Sequence, residues 1–73
     1  MHGYKWLEIV PGKRGGRPVI KGTRIAVDDI LEALSSGWSI EEVVENYRIA
    51  EEAVREAIKY ALEKLRKLEV VTV

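Results

Sequence analysis

Apolar and polar positions along the chain change period at residue 27. Upstream, Tyr4 to Val10 alternate imperfectly and predict a short strand with Trp6 and Leu7 on opposite faces. Pro11-Gly12 ends it, and Lys13 to Arg17, with Gly15-Gly16 at the centre, is a loop. Val19-Ile20 and Arg24-Ile25 flank Lys21-Gly22, the pattern of a tight hairpin or an irregular arm. From Val27 the period is 3.6. Val27, Ile30, Leu31 and Leu34 share one helical face, and Ser35-Ser36-Gly37 stops the helix with glycine where a left-handed residue sits. Ser39 and Glu42 form a capping box for a second helix over Ile40–Tyr47, with Ile40, Val43, Val44 and Tyr47 inward. Trp38 and Val43 are spaced as a hydrophobic staple, which places Trp38 and Tyr47 in the core. After a break at Arg48-Ile49-Ala50, a longer helix runs from Glu51 to Lys67 on a stripe of Val54, Ala57, Ile58, Ala61, Leu62 and Leu65. The tail from Glu69 to Val73 is a fourth strand or a frayed end. The predicted architecture is α+β, mainly α: a short N-terminal β-arm or hairpin (1–26), then a three-helix, helix-turn-helix-like (homeodomain-like) core (27–68) and the tail, in a single domain.

Seventy-three residues bury only about 60% of the unfolded chain's surface, and with no cysteine there is no disulfide to support so small a core. Oligomerisation is the remaining common support. An exposed strand carrying Tyr4, Trp6, Leu7 and Ile9 would be a sticky edge, so those residues are the candidate homodimer contact. No apolar run is long enough to span a bilayer and no signal peptide opens the chain, so a cytoplasmic protein is expected. Lys/Glu enrichment with no glutamine and one asparagine suits a thermophilic source.

Zero net charge hides a division. Residues 1–27 hold six basic side chains against Glu8, a net of +5, while residues 28–73 hold six against eleven acidic ones, a net of −5. Lys13, Arg14, Arg17, Lys21, Thr23 and Arg24 therefore form a candidate DNA- or partner-binding arm, since arginine forks grip phosphate or carboxylate oxygens and the glycines admit close approach. The same arm could instead pair with the acidic helices of a second copy. The second and third helices with their three-residue turn fit a helix-turn-helix, in which Arg55 and Lys59 would be the basic residues of the recognition helix. That helix begins Glu51-Glu52, with Glu56 one turn on, and these carboxylates favour its dipole and oppose a polyanion. Lys21-Gly22-Thr23 transposes the phosphate-loop order, and Pro18 removes an amide, so nucleotide binding by that route is rejected. His2 is the single histidine and no cysteine nucleophile exists, so neither enzyme, cofactor nor metal site is expected; Asp28, Asp29 and Glu32 are first-turn residues that favour a helix dipole.

Two segments, GRPVIKGTRI (residues 16–25) and GWSIEEVVENY (residues 37–47), carry a resemblance. From Glu8 to about Leu62 the chain resembles a small prokaryotic family catalogued as domain of unknown function 433. The resemblance implies a helix-turn-helix antitoxin of a toxin–antitoxin pair whose toxin is similar to a PIN-type nuclease, with operator DNA as a further ligand of the dimer. Carried onto this chain, it singles out Arg17, Lys21, Thr23 and Arg24, with Gly16 and Gly22 as backbone positions and Gly37, Trp38 and Ser39 as turn and cap. The chain departs from the family pattern at Ala26 and Ala50, where a capping serine or threonine is common, and at Arg48, where proline often stands. The alternative expectation, from another class, is a homodimeric structural or interaction module with no DNA binding.

Overall fold

The computed structural model describes residues 1–69; the predicted tail, beyond Glu69, lies outside the described residues. Two short strands, β1 (Leu7–Glu8) and β2 (Val19–Ile20), pair antiparallel with Leu7 opposite Ile20 and Glu8 opposite Val19. Three helices follow: α1 (Val27–Ser35), α2 (Ile40–Tyr47) and α3 (Glu51–Glu69). The architecture is the predicted α+β, mainly α, with an N-terminal hairpin ahead of three helices.

The strand expected over Tyr4–Val10 contracts to two residues because helices and turns take its neighbours. The Lys5 and Trp6 amides donate not to a strand but to the Glu56 carboxylate of α3, at 3.0 and 2.7 Å. On the other side of β2, Val19 bridges Ala26, and the Ile20 amide donates to Ile25 O at 2.8 Å, so Lys21–Arg24 is a tight turn. Thr23 closes that turn: its Oγ1 donates to Ile20 O (2.8 Å) and accepts from the Ile25 amide (3.0 Å). Gly22 occupies the left-handed region there, at φ 78°.

The helix boundaries follow local chemistry. Ala26 has no side-chain acceptor at the start of α1, yet Asp29 reaches back to accept the Ala26 amide at 2.9 Å, keeping half of a capping box. Gly37, at φ 102°, ends α1 in a Schellman arrangement, with Gly37 N donating to Leu34 O and Trp38 N to Ala33 O. The Ser39–Glu42 box forms reciprocally at 3.1 and 2.8 Å. Arg48 ends α2 in the left-handed region (φ 57°), a position that glycine fills without strain.

The core is one cluster. Val27, Ile30 and Ala33 of α1, Val43 of α2, Ile49 of the turn, and Ala53, Val54 and Ala57 of α3 close around Leu7 and Ile20 of the hairpin. Two alanines, Ala53 and Ala57, let α3 approach its neighbours closely. Two expectations need correction. Trp38 is not a core residue: it is 38% exposed and stacks on half-buried Tyr47 at 6.1 Å. Only the first half of α3 is buried, leaving Ile58, Leu62, Leu65 and Leu68 at 38, 43, 52 and 65% exposure. The reason is length. At 1.5 Å per residue, α1 and α2, with nine and eight residues, span about 13 Å, whereas the 19 residues of α3 span about 28 Å. No helix among the described residues is long and apolar enough to cross a membrane.

Candidate interaction surface

The basic arm folds back on its own chain. Arg14 lies in the left-handed region (φ 50°), followed by Gly15 and Gly16 in the same region. This tight loop turns the Arg14 guanidinium onto Asp29, with Nη1 2.8 Å from Oδ2, while the same nitrogen donates to Arg24 O. Arg17 pairs with Asp28 at 2.5 Å and donates through Nε to Arg14 O. Lys13 sits 3.6 Å from Glu8, whose other partner is the Gly22 amide. The acidic first turn of α1 thus pairs with Arg14 and Arg17 of its own chain. Asp29 shows the result. Burial raises its carboxyl pKa, and this is outweighed by hydrogen bonds from Arg14 and the Ala26 amide and by the charges of Arg14 and Arg17, so it lies below its ordinary value of 3.8. Glu8 is also lowered, first by the Gly22 amide and further by Lys13 and Lys21, against an opposing effect of desolvation.

The other candidate residues separate accordingly. Thr23 is occupied in its own turn, as described above. Lys21 and Arg24 remain exposed and outside any ion pair among the described residues. Arg55 is held by Glu51 one turn earlier, at 2.5 Å, and Lys59 lies over the Tyr4 ring at 5.6 Å. Arg55 and Lys59 are on α3 while the arm cations lie in the loop and turn that precede α1, so the structure does not gather the eight residues into one patch.

The aromatic arm is likewise used internally. Leu7, placed above at an intermolecular edge, is 1% exposed in the core of its own chain, which corrects that expectation. Its cause is the β1–β2 register, which turns Leu7 inward opposite Ile20. Tyr4 packs edge-to-face on Tyr60 at 5.7 Å and its hydroxyl donates to Glu63, and Trp6 is half-buried against the core. Of the four, Ile9 alone is exposed, at 48%.

What remains open is an apolar face that sequence periodicity assigned to the core. Pro18, Val27 and Leu31 on one side and Ala61, Leu65 and Leu68 on the other line a groove of about 400 Å³, with Arg17, Asp28 and Lys64 at its rim. Ile58 and Leu62 extend the stripe along α3. The signal that could have revealed it was helix length: α3 has 19 residues against nine and eight in α1 and α2.

The fold has relatives. The model of the family described as protein of unknown function (DUF433) matches residues 7–61, which include the hairpin, α1, α2 and the first half of α3. The chain belongs to the DUF433 family. A DUF433 member from Anabaena variabilis ATCC 29413, known from a crystal structure, superposes with a TM-score of 0.78 at 26% identity. The match covers 88% of this chain and 64% of that one, so this chain spans less than two thirds of its relative's length. No curated protein matches the chain. Within this DUF433 domain the motif residues Arg17 and Thr23 have a structural explanation, since they fasten the hairpin to α1 and close its turn.

Proposed function

We propose that this DUF433 protein is a non-catalytic, antitoxin-like binding partner of another protein, and that the open face of α1 and α3 is where it binds. The observation carrying this reading is the exposed stripe Ile58, Leu62, Leu65 and Leu68. A contiguous exposed apolar patch is often a functional contact surface. A PIN-type nuclease is the partner that the family resemblance suggests. Operator DNA is a second ligand of the same reading, served by Lys21 and Arg24, because Arg14 and Arg17 already hold Asp29 and Asp28. Two phosphate contacts give a log–log salt slope of about −2, far shallower than the whole arm would produce.

The test is co-expression with the product of the adjacent reading frame. A stable complex in which that product's nuclease activity is silenced, and which Leu65→Glu disrupts, supports the reading. A protein that purifies without that partner, and leaves its nuclease activity intact, refutes it.

A further inference from the structure

The second half of α3 is basic. Ile58 to Leu68 hold Lys59, Lys64, Arg66 and Lys67 against Glu63, a net of +3. All five are exposed, and none of the four cations joins an ion pair among the described residues. Tyr4 packs edge-on to Tyr60, and its hydroxyl donates to Glu63, so the one carboxylate of this stretch is already engaged. Lys59 sits over the Tyr4 ring at 5.6 Å and Lys64 over the Tyr60 ring at 5.3 Å. Because both lysines are exposed, their positions mark ring faces that open to solvent. A cleft of about 500 Å³ opens here, with Tyr4 and its neighbours Met1 and His2 on one side. Tyr60, Glu63 and three of the cations, Lys64, Arg66 and Lys67, line the other. That volume lies within the range of small-ligand sites, about 300–1,000 Å³.

We infer that this cleft binds single-stranded nucleic acid, with phosphates on Lys64, Arg66 and Lys67 and a base against the Tyr60 ring. Cations beside reachable aromatic rings are what a single strand uses: its backbone takes the charges and its unpaired bases take the rings. As a base arrives, Lys64 leaves the Tyr60 ring for a phosphate, exchanging a weak exposed contact for a charge-assisted one. A duplex keeps its bases stacked inside and reaches the cations alone. The site uses neither Lys21 and Arg24 nor the exposed leucines, so it stands apart from the functional reading above.

Fluorescence anisotropy of a labelled oligothymidine of about 12 nucleotides, titrated with the full chain, tests it. Three phosphate contacts give a log–log salt slope of about −2 for a single strand. Lys64→Gln with Lys67→Gln, at exposed positions, flattens that slope to about −0.7 and weakens binding on the order of 50-fold at about 50 mM salt. Tyr60→Leu keeps an apolar side chain against the core and loses about five-fold or more with the slope unchanged, the mark of a lost stacking contact. Lys21→Gln with Arg24→Gln leaves oligothymidine binding as it was. Circular dichroism checks that each variant is folded, and the exposed lysine pair carries the test if Tyr60→Leu is not. No binding by the wild type at low salt, unchanged binding in the lysine pair, or equal affinity for a duplex of the same length overturns the inference. An operator duplex bound through Lys21 and Arg24 with no oligothymidine binding removes this site and keeps the operator reading; the opposite pattern does the reverse.

Discussion

Replacing Asp29 by alanine removes the joint between the basic loop and α1, and the neighbouring Asp28 supplies its own control. Asp29 accepts two hydrogen bonds that matter: from the Ala26 amide, an otherwise orphan donor at the helix start, and from Arg14 at 2.8 Å. Loss of a helix-start cap costs about 1 kcal/mol. A charge-assisted pair that is less than one third exposed contributes about another 1 kcal/mol after solvent screening. Asp29→Ala therefore destabilises by ~2 kcal/mol, a fall in melting midpoint of roughly 8–16 °C for a domain this size. The Arg17–Asp28 pair is about half exposed, so Asp28→Ala costs at most about 0.5 kcal/mol. Urea unfolding followed by tryptophan fluorescence, at one fixed protein concentration, measures both. The pH dependence supplies a second reading. Because the native Asp29 carboxyl titrates below 3.8, the unfolded chain takes up that proton first as pH falls. The stabilisation is complete above the ordinary value, shrinks as pH falls through the native one, and with it the gap between wild type and Asp29→Ala closes. Equal costs for the two aspartates, or a gap unchanged at strongly acid pH, would refute the reasoning.

Other consequences follow from the same geometry. Leu7→Ala leaves a cavity beneath the hairpin and costs about 2–4 kcal/mol, whereas Ile9→Ala, on the exposed side, changes denaturation midpoints little. Arg48→Gly relieves a left-handed non-glycine residue and raises stability by about 0.5–1 kcal/mol; a lower midpoint would show that the Arg48 side chain has a stabilising contact of its own. Glu56→Ala strips the acceptor from two backbone amides, so hydrogen exchange at Lys5 and Trp6 accelerates at least several-fold while Val43 and Val54 retain their protection.

The local elements were legible in the residues because their causes are local. Gly37, the Ser39–Glu42 box and the 3.6-residue period set the bounds of α1 and α2 within a few neighbouring side chains, and the structure reproduces them. The family was legible as well, since its motifs lie in the turns those residues build. Tertiary structure decided the rest. Composition showed a basic arm and an acidic body, but only the fold brings Arg14 within reach of Asp29 and fastens the basic loop to α1. Alternation placed Trp6 and Leu7 on opposite faces, and the pairing register with β2 determined that Leu7 turns inward. Periodicity put Ile58, Leu62 and Leu65 on the inner stripe of α3, yet a stripe records only that side chains share a face. Whether that face is covered depends on the length of the elements packed against it. In this protein α1 and α2 end after about 13 Å, and the apolar residues of the second half of α3 stay exposed.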